Sequence, residues 1–247
     1  MAADVTVERW RDAQAAEATY WEAVRAEPLE FARVLREKVV VADWIASVLP
    51  PDAAAGSHVE IGIGPLGVGC VHFLPRGMRR EIVGVEPLPL LEIARLELPP
   101  PLVAAVAACR GAGYEHVCAA GEATGLEDGR FALAACYNVL DHVRDPLGVL
   151  REKFRILRPG GLLALACDSV SILSRLRFRF AIQRRHPDDV GVRAHPFRFR
   201  AGELDALVAR AGFVVLARRP ARRSRTRDAV GQAERVLFLA RKPDEAA

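Results

Sequence analysis

The residues best suited to chemistry begin at Val59-Glu60-Ile61-Gly62-Ile63-Gly64-Pro65-Leu66-Gly67, an apolar run that enters a glycine-rich turn. Glycines at 62 and 64 let the backbone bend tightly and let a ligand approach it, and a helix opening after the turn would offer unpaired N–H donors. Gly62, Gly64 and Gly67 also satisfy the dinucleotide fingerprint G-x-G-x-x-G, with Glu86 about 20 residues on, where a ribose-binding acid belongs. The turn alone does not choose between cofactors. Glu60 tips the choice, because a carboxylate two residues before the first glycine can accept from an ammonium group, directly or through water, and a dinucleotide has no such cation. Gly121-Glu122-Ala123 then places a carboxylate and a backbone N–H after the third predicted strand, where an adenine edge would lie.

A second group is Asn138-Val139-Leu140-Asp141-His142, directly after the fourth predicted strand. Open α/β sheets bind ligands in the crevice beyond the carboxyl ends of their strands, so these side chains are expected to face a substrate. His142 is the candidate general base, since an imidazole titrates near neutrality, and Asp141 would orient it or accept from the substrate. The stretch from Asp141 to Asp145 also reads as a helix start. His195, in His195-Pro196-Phe197-Arg198-Phe199, is a further candidate residue that reads from its surroundings as a structural turn. No HxxxH, clustered Asp or Cys/His spacing occurs, so no metal site is expected from the linear pattern. Cys70, Cys109, Cys118, Cys136 and Cys167 stand singly with no CxxC pair, and read as small buried apolar residues.

These groups need elements to hold them. Residues 5–49 carry helical spacing, with Trp10, Ala13, Glu17, Tyr20, Trp21 and Val24 before Pro28 and Phe31, Val34, Leu35, Val39 and Trp44 after it. Residues 1–50 are therefore expected to form a helical extension, with the aromatics Tyr20 and Trp21 at helical spacing. Short apolar runs separated by helical segments follow, the pattern of a parallel α/β sheet. Strands are predicted at His58–Ile63, Glu81–Glu86, His116–Ala119, Phe131–Tyr137, Gly161–Cys167, Phe213–Arg218 and Glu234–Ala240. Helices are predicted at Gly67–Leu74, Leu88–Leu98, Leu102–Ala112, Pro146–Leu157 and Gly202–Ala211. Within the main domain, 51–247, an Arg/Phe-rich stretch at 168–200 breaks the alternation and is the expected acceptor-site insertion.

A chain of 247 residues, 51% of them hydrophobic, suffices for one principal core. It has no long uncharged apolar run and no basic, then apolar, leader pattern, so a cytoplasmic location is expected. The formal charge of +4 conceals an asymmetry, with 13 Lys/Arg against 21 Asp/Glu in residues 1–150 and 22 against 10 in residues 151–247. Much of the excess lies in the run Arg218–Arg227, readable as a solvated loop or an anion-attracting patch.

The series VEIGIGPLG, GVEP, AAGEATGL, ALAACYNVLDHVRDP, RILRPGGLLAL and HPFRFRAGELDALVARAGF resembles, in order and spacing over residues 58–216, the class I S-adenosylmethionine-dependent methyltransferases, particularly the small-molecule type 11 group. The resemblance implies a Rossmann-like seven-stranded sheet with helices on both faces, its last strand inserted antiparallel, and S-adenosylmethionine as cofactor. It also implies roles: Glu60, Gly62 and Gly64 for the methionine moiety, Glu86 for the ribose, Glu122 and Ala123 for the adenine, Asn138 in the loop flanking the amino group, the N-terminal helices with Tyr20 and Trp21 as a lid over the cofactor, and the segment after the fifth strand, with His195 before the next helix, as an acceptor-pocket wall. The chain departs from the usual glycine pattern at Leu66, with Pro65 before it and Gly67 after it, a variant familiar in the family. Methyl transfer from a sulfonium is a one-step displacement, so alignment matters most and a base is needed only for weakly acidic acceptors. The expected acceptor is a hydroxyl of a sugar, glycolipid precursor or secondary metabolite, on a monomer or homodimer. Three other readings stand beside it: an RNA or other polyanion methyltransferase using the basic half, a non-catalytic cofactor-binding protein, and a nicotinamide-dependent dehydrogenase.

Overall fold

Two capped helices open the chain. In the computed structural model, which describes residues 5–50, 55–75, 77, 79–219 and 234–244, α1 spans Val7–Val24, and the Thr6 hydroxyl accepts from the Arg9 N–H at its start. The second, α2, spans Pro28–Val48 and begins on a proline, whose fixed φ suits a first helical turn.

The seven strands are β1 (Gly56–Ile61), β2 (Arg79–Val85), β3 (Tyr114–Val117), β4 (Phe131–Tyr137), β5 (Leu157–Ser169), β6 (Val214–Arg219) and β7 (Glu234–Arg241). They form one sheet in the order β3-β2-β1-β4-β5-β7-β6. β1 to β5 pair in parallel, whereas β7 runs antiparallel between β5 and β6. The expected sheet, with its late antiparallel insertion, is the one observed. Every residue of β4 is buried, as a central strand covered on both faces requires. The chain order reverses between β1 and β4, which opens a crevice beyond their carboxyl ends.

Helices α3 (Pro100–Cys109) and α4 (Pro146–Ile156) fall close to their predicted places, as does α8 (Ala201–Arg210). Two predicted helices do not form. Gly67–Leu74 yields only a 3-10 turn at Cys70–Phe73, since Gly67 sits at φ +63° and Pro75 closes the segment. Leu88–Leu98 yields only a 3-10 turn at Ile93–Arg95, because Pro87 and Pro89 remove backbone donors where a helix would start. The sheet face thus left bare is covered by α2, whose Val41, Ala42, Ile45 and Leu49 pack with Cys70, Val71, Leu74, Leu133, Ala135 and Leu162.

Residues 168–200 continue β5 and then turn helical, through α5 (Ile172–Arg177), a π-helical turn (Phe178–Ile182), α6 (Gln183–Arg185) and α7 (Val190–Arg193). A bridge between Ser169 and Phe199 brings the segment back to the sheet. Of the Arg218–Arg227 run, Arg218 pairs with Asp205 at 2.8 Å, and residues 220–227 lie outside the described residues.

Candidate active site

A cavity of 510 Å³ occupies the crevice, and its wall includes Gly62, Gly64, Glu86, Gly121, Asn138, His142 and His195 together with Glu17, Tyr20 and Trp21 of α1. The glycine turn fits it tightly. Gly62 and Gly64 sit at φ +74° and +82°, and a Cβ on Gly62 would lie 2.1 Å from the Val139 side chain while one on Gly64 would lie 2.9 Å from the Trp21 ring. Glu86 follows β2 and is held by two backbone donors, the N–H of Gly64 at 2.9 Å and of Leu88 at 3.1 Å. Burial pushes its carboxyl up to about 7 despite these two donors.

Glu60 lies elsewhere. It is fully buried, does not line the cavity, and accepts from the Val71 N–H at 3.0 Å. A Cβ on Gly69 would strike its carboxylate at 2.1 Å, so that glycine makes room for it. Buried cations of the protein influence it electrostatically, Lys153 of α4 and Lys38 of α2, and the latter donates from Nζ to the carbonyls of Ile63, at 2.9 Å, and Val68. Burial lowers the Lys38 ammonium and Glu60 works against that. The turn is thus stapled from behind by an N-terminal lysine that linear patterning reads as one more charge on a helix surface.

Glu122 reaches the cavity edge, but one of its oxygens accepts from the N–H groups of Arg144, at 2.9 Å, and Asp145, at 3.0 Å, so it caps the start of α4. Ala123 is not among the lining residues, whereas Ala120 and Gly121 are. Asn138 stands at the end of β4 with φ +53°, a left-handed conformation tolerated by asparagine, and its N–H donates to the Ala166 carbonyl at 2.8 Å.

His142 and His195, far apart in sequence, meet with ring centroids 4.3 Å apart. The Nδ1 of His142 donates to the Ala194 carbonyl at 2.9 Å and also lies 3.0 Å from Glu17. The Nδ1 of His195 donates to the Gly191 carbonyl at 2.8 Å. Both Nε2 atoms lie 3.7 Å from the buried carboxylate of Asp141, one beside each oxygen. Burial disfavours a charged His142, but Asp141, Glu17 and the Ala194 carbonyl outweigh it and push the imidazole up to about 9. Burial and the neighbouring His142 push His195 down. The near-neutral titration expected of His142 is therefore not kept: the two carboxylates around it retain its proton.

Sequence reasoning missed the rest of the wall. Tyr137 donates to Glu37 at 2.6 Å, and Arg235 of β7 donates to Tyr137 at 2.8 Å and to Asp168 at 2.9 Å. All four residues line the cavity; β4 and β5 bring Tyr137 near Asp168, and the antiparallel insertion of β7 beside β5 brings Arg235 to both. α1 is tied to the insertion by Arg9, which donates to the carbonyls of Arg193 at 2.6 Å and Val192 at 3.3 Å. No helix among the described residues is long and apolar enough to cross a membrane.

The profile of the methyltransferase-domain family matches residues 31–218. An uncharacterized methyltransferase of Mycobacterium sp. (strain JLS) is 31% identical over 144 residues, 58% of this chain and 51% of that protein, so the chain spans about half the length of the curated relatives it matches. Among solved structures, a protein of Galdieria sulphuraria assigned as a sarcosine dimethylglycine methyltransferase superposes with a TM-score of 0.66 at 15% identity, covering 93% of this chain and 99% of that one. The [4+2]-cyclase SpnF superposes with a TM-score of 0.56 at 19% identity, covering 83% and 81%. Such likenesses show the fold, and SpnF shows that this fold is not tied to one reaction. With the family profile extending over most of its length, the chain belongs to the methyltransferase-domain family, within the class I S-adenosylmethionine-dependent methyltransferases.

Proposed function

We propose that this chain transfers the methyl group of S-adenosylmethionine to a hydroxyl of a small acceptor, of the sugar, glycolipid-precursor or secondary-metabolite kind. The observation that carries the reading is the continuity of one cavity from Gly62, Gly64 and Glu86 to His142 and His195, with the buried Asp141 behind the two rings and outside the cavity wall. Its two ends suit two ligands. Glu86, buried and anionic in its working form, would accept from the ribose hydroxyls, and the side-chain-free turn would let the methionine part lie along the backbone. Glu60 is left out of this assignment, since it is fully buried and does not line the cavity.

The acceptor would enter between α1 and the 190–195 segment, with its hydroxyl against the histidine cluster. As the oxygen bonds to the methyl carbon, the carbon–sulfur bond breaks and its electron pair stays on sulfur, leaving a neutral thioether. The acceptor's proton would pass to His195, whose neutral imidazole is favoured by burial and by the neighbouring His142. The protein's work is alignment and exclusion of water, to which Trp21 over Gly64 and Tyr20 beside it contribute cover.

The test is in two parts. Calorimetric titration with S-adenosylhomocysteine should show one site per chain, and mass spectrometry of hydroxylated acceptors incubated with S-adenosylmethionine should show the gain of a methyl group. Absence of cofactor binding overturns the reading. Binding without product across sugars, glycolipid precursors and phenols favours a non-catalytic cofactor-binding role.

A further inference from the structure

The histidine cluster is built as a cation site. Three observations say so independently of the cofactor end of the cavity. First, Asp141, His142 and His195 bring one carboxylate oxygen and two imidazole nitrogens within 4.8 Å of one another. Second, both imidazoles direct Nδ1 at backbone carbonyls, Ala194 for His142 and Gly191 for His195, which leaves each Nε2 facing Asp141, where a bound ion would take the place of the proton that the carboxylates hold on His142. This is how metal-ligating histidines are held in position, through a hydrogen bond from the nitrogen that does not ligate. Third, Asp141 Oδ1 is buried without any hydrogen-bond donor, and the 3.7 Å to His142 Nε2 is too long to supply one. A buried carboxylate oxygen with no donor is costly unless something positive meets it. Asn138 Oδ1, likewise buried and unpartnered, lies on a side chain whose Nδ2 is 3.5 Å from His142 Nε2. Turned about its amide, that side chain would present an oxygen to the same point.

We infer that Asp141, His142 and His195 bind a divalent first-row transition-metal ion at the acceptor end of the cavity. Two imidazoles and one carboxylate suit manganese, iron, cobalt, nickel or zinc, and leave coordination positions open on the cavity side. Glu17, beside His142 Nδ1 at 3.0 Å, would sit behind the ligand and strengthen it. The inference rests on the proposed function only for where the acceptor lies, and it refines what activates that acceptor. An acceptor hydroxyl bound to the ion would lose its proton to water more readily, and its oxygen would then take the methyl carbon as the carbon–sulfur electron pair moves to sulfur. Linear spacing hid the site, since Asp141 and His142 come from the end of β4 and His195 from beyond α7.

The test uses the full chain, stripped with chelator and titrated with Co²⁺ and with Mn²⁺, without substrate. Calorimetry should give one ion per chain, and Co²⁺ should show visible absorption of a nitrogen/oxygen site. Asp141→Asn and His195→Gln should each weaken binding on the order of 100-fold, and Glu17→Gln by about 10-fold, the size of effect known for removing a supporting partner. Circular dichroism and S-adenosylhomocysteine titration of each variant check that the fold and the other end of the cavity survive. Wild-type protein that binds Co²⁺ no more tightly than the Asp141→Asn/His195→Gln double variant overturns the inference, as does a Co²⁺ spectrum unchanged by either substitution. If wild type binds the ion but not S-adenosylhomocysteine, the metal site stands and the methyl-transfer reading falls; the reverse result separates them the other way.

Discussion

At the scale of single residues, Glu86 decides how the cavity would respond to pH. Its carboxyl titrates at about 7 because burial outweighs the two N–H donors that favour the charged form. A carboxyl raised in this way is ionised only above that pH and protonated below it. An ionised acceptor makes hydrogen bonds worth about 1.5–3 kcal/mol, against about 0.5–1.5 kcal/mol for a neutral one. The affinity for S-adenosylhomocysteine should therefore fall roughly tenfold as the pH drops from about 8 to about 6. Glu86→Gln should bind at the weaker level throughout and lose this pH dependence. A wild-type affinity that stays flat over the same range would remove Glu86 from the ribose position. At this scale the sequence was most informative: glycines 62 and 64 and Glu86 line one cavity together, since a turn without side chains and an acid at the end of the neighbouring strand are local facts. Glu60 was legible as an acid just before the turn but not as one buried away from the cavity.

At the scale of elements, the unusual component is α2, which both covers the sheet and reaches through Lys38 to the carbonyls of the glycine turn. Lys38 and Glu60 are both buried and influence each other electrostatically, and removing one of two such charges leaves the other less compensated, at up to about 3–5 kcal/mol. Lys38→Met should accordingly lower the thermal midpoint and weaken S-adenosylhomocysteine binding, because the turn loses two of its ties. Adding Glu60→Gln should recover part of the stability, so that the double variant is more stable than the sum of the single losses predicts. Additivity within about 0.5 kcal/mol in a denaturant series would show that the two residues act separately. β4 was readable to the residue because a fully buried strand is apolar throughout and bounded by polar turns. The helices predicted at 67–74 and 88–98 failed because apolar periodicity was read past Gly67 and Gly69, and past Pro87 and Pro89, which break it. Lys38 left no sequence signal at all, since a buried lysine and an exposed one look alike on a helix.

At the scale of the whole molecule, α1, the glycine turn and the 190–195 segment close on one cavity and are tied to one another. Arg9 of α1 donates to two carbonyls of α7, Asp12 accepts from Arg193 at 3.0 Å, and the Trp21 ring rests over Gly64. The ties are half exposed, with Arg9 and Asp12 side chains at 36% and 39% of full accessibility, so each is individually weak. Weak ties over a ligand cavity are what an element needs if it is to part from the sheet for entry and settle afterwards. Binding of S-adenosylhomocysteine should then slow amide exchange in residues 7–24 and 190–194 together, although only the first group reaches the glycine turn. Arg9→Ala should break this coupling: protection would persist in α1 and drop in α7, with the thermal midpoint changed little because the sheet and α2 are untouched. Equal protection of α7 in wild type and variant would mean that the insertion senses the ligand directly and not through α1.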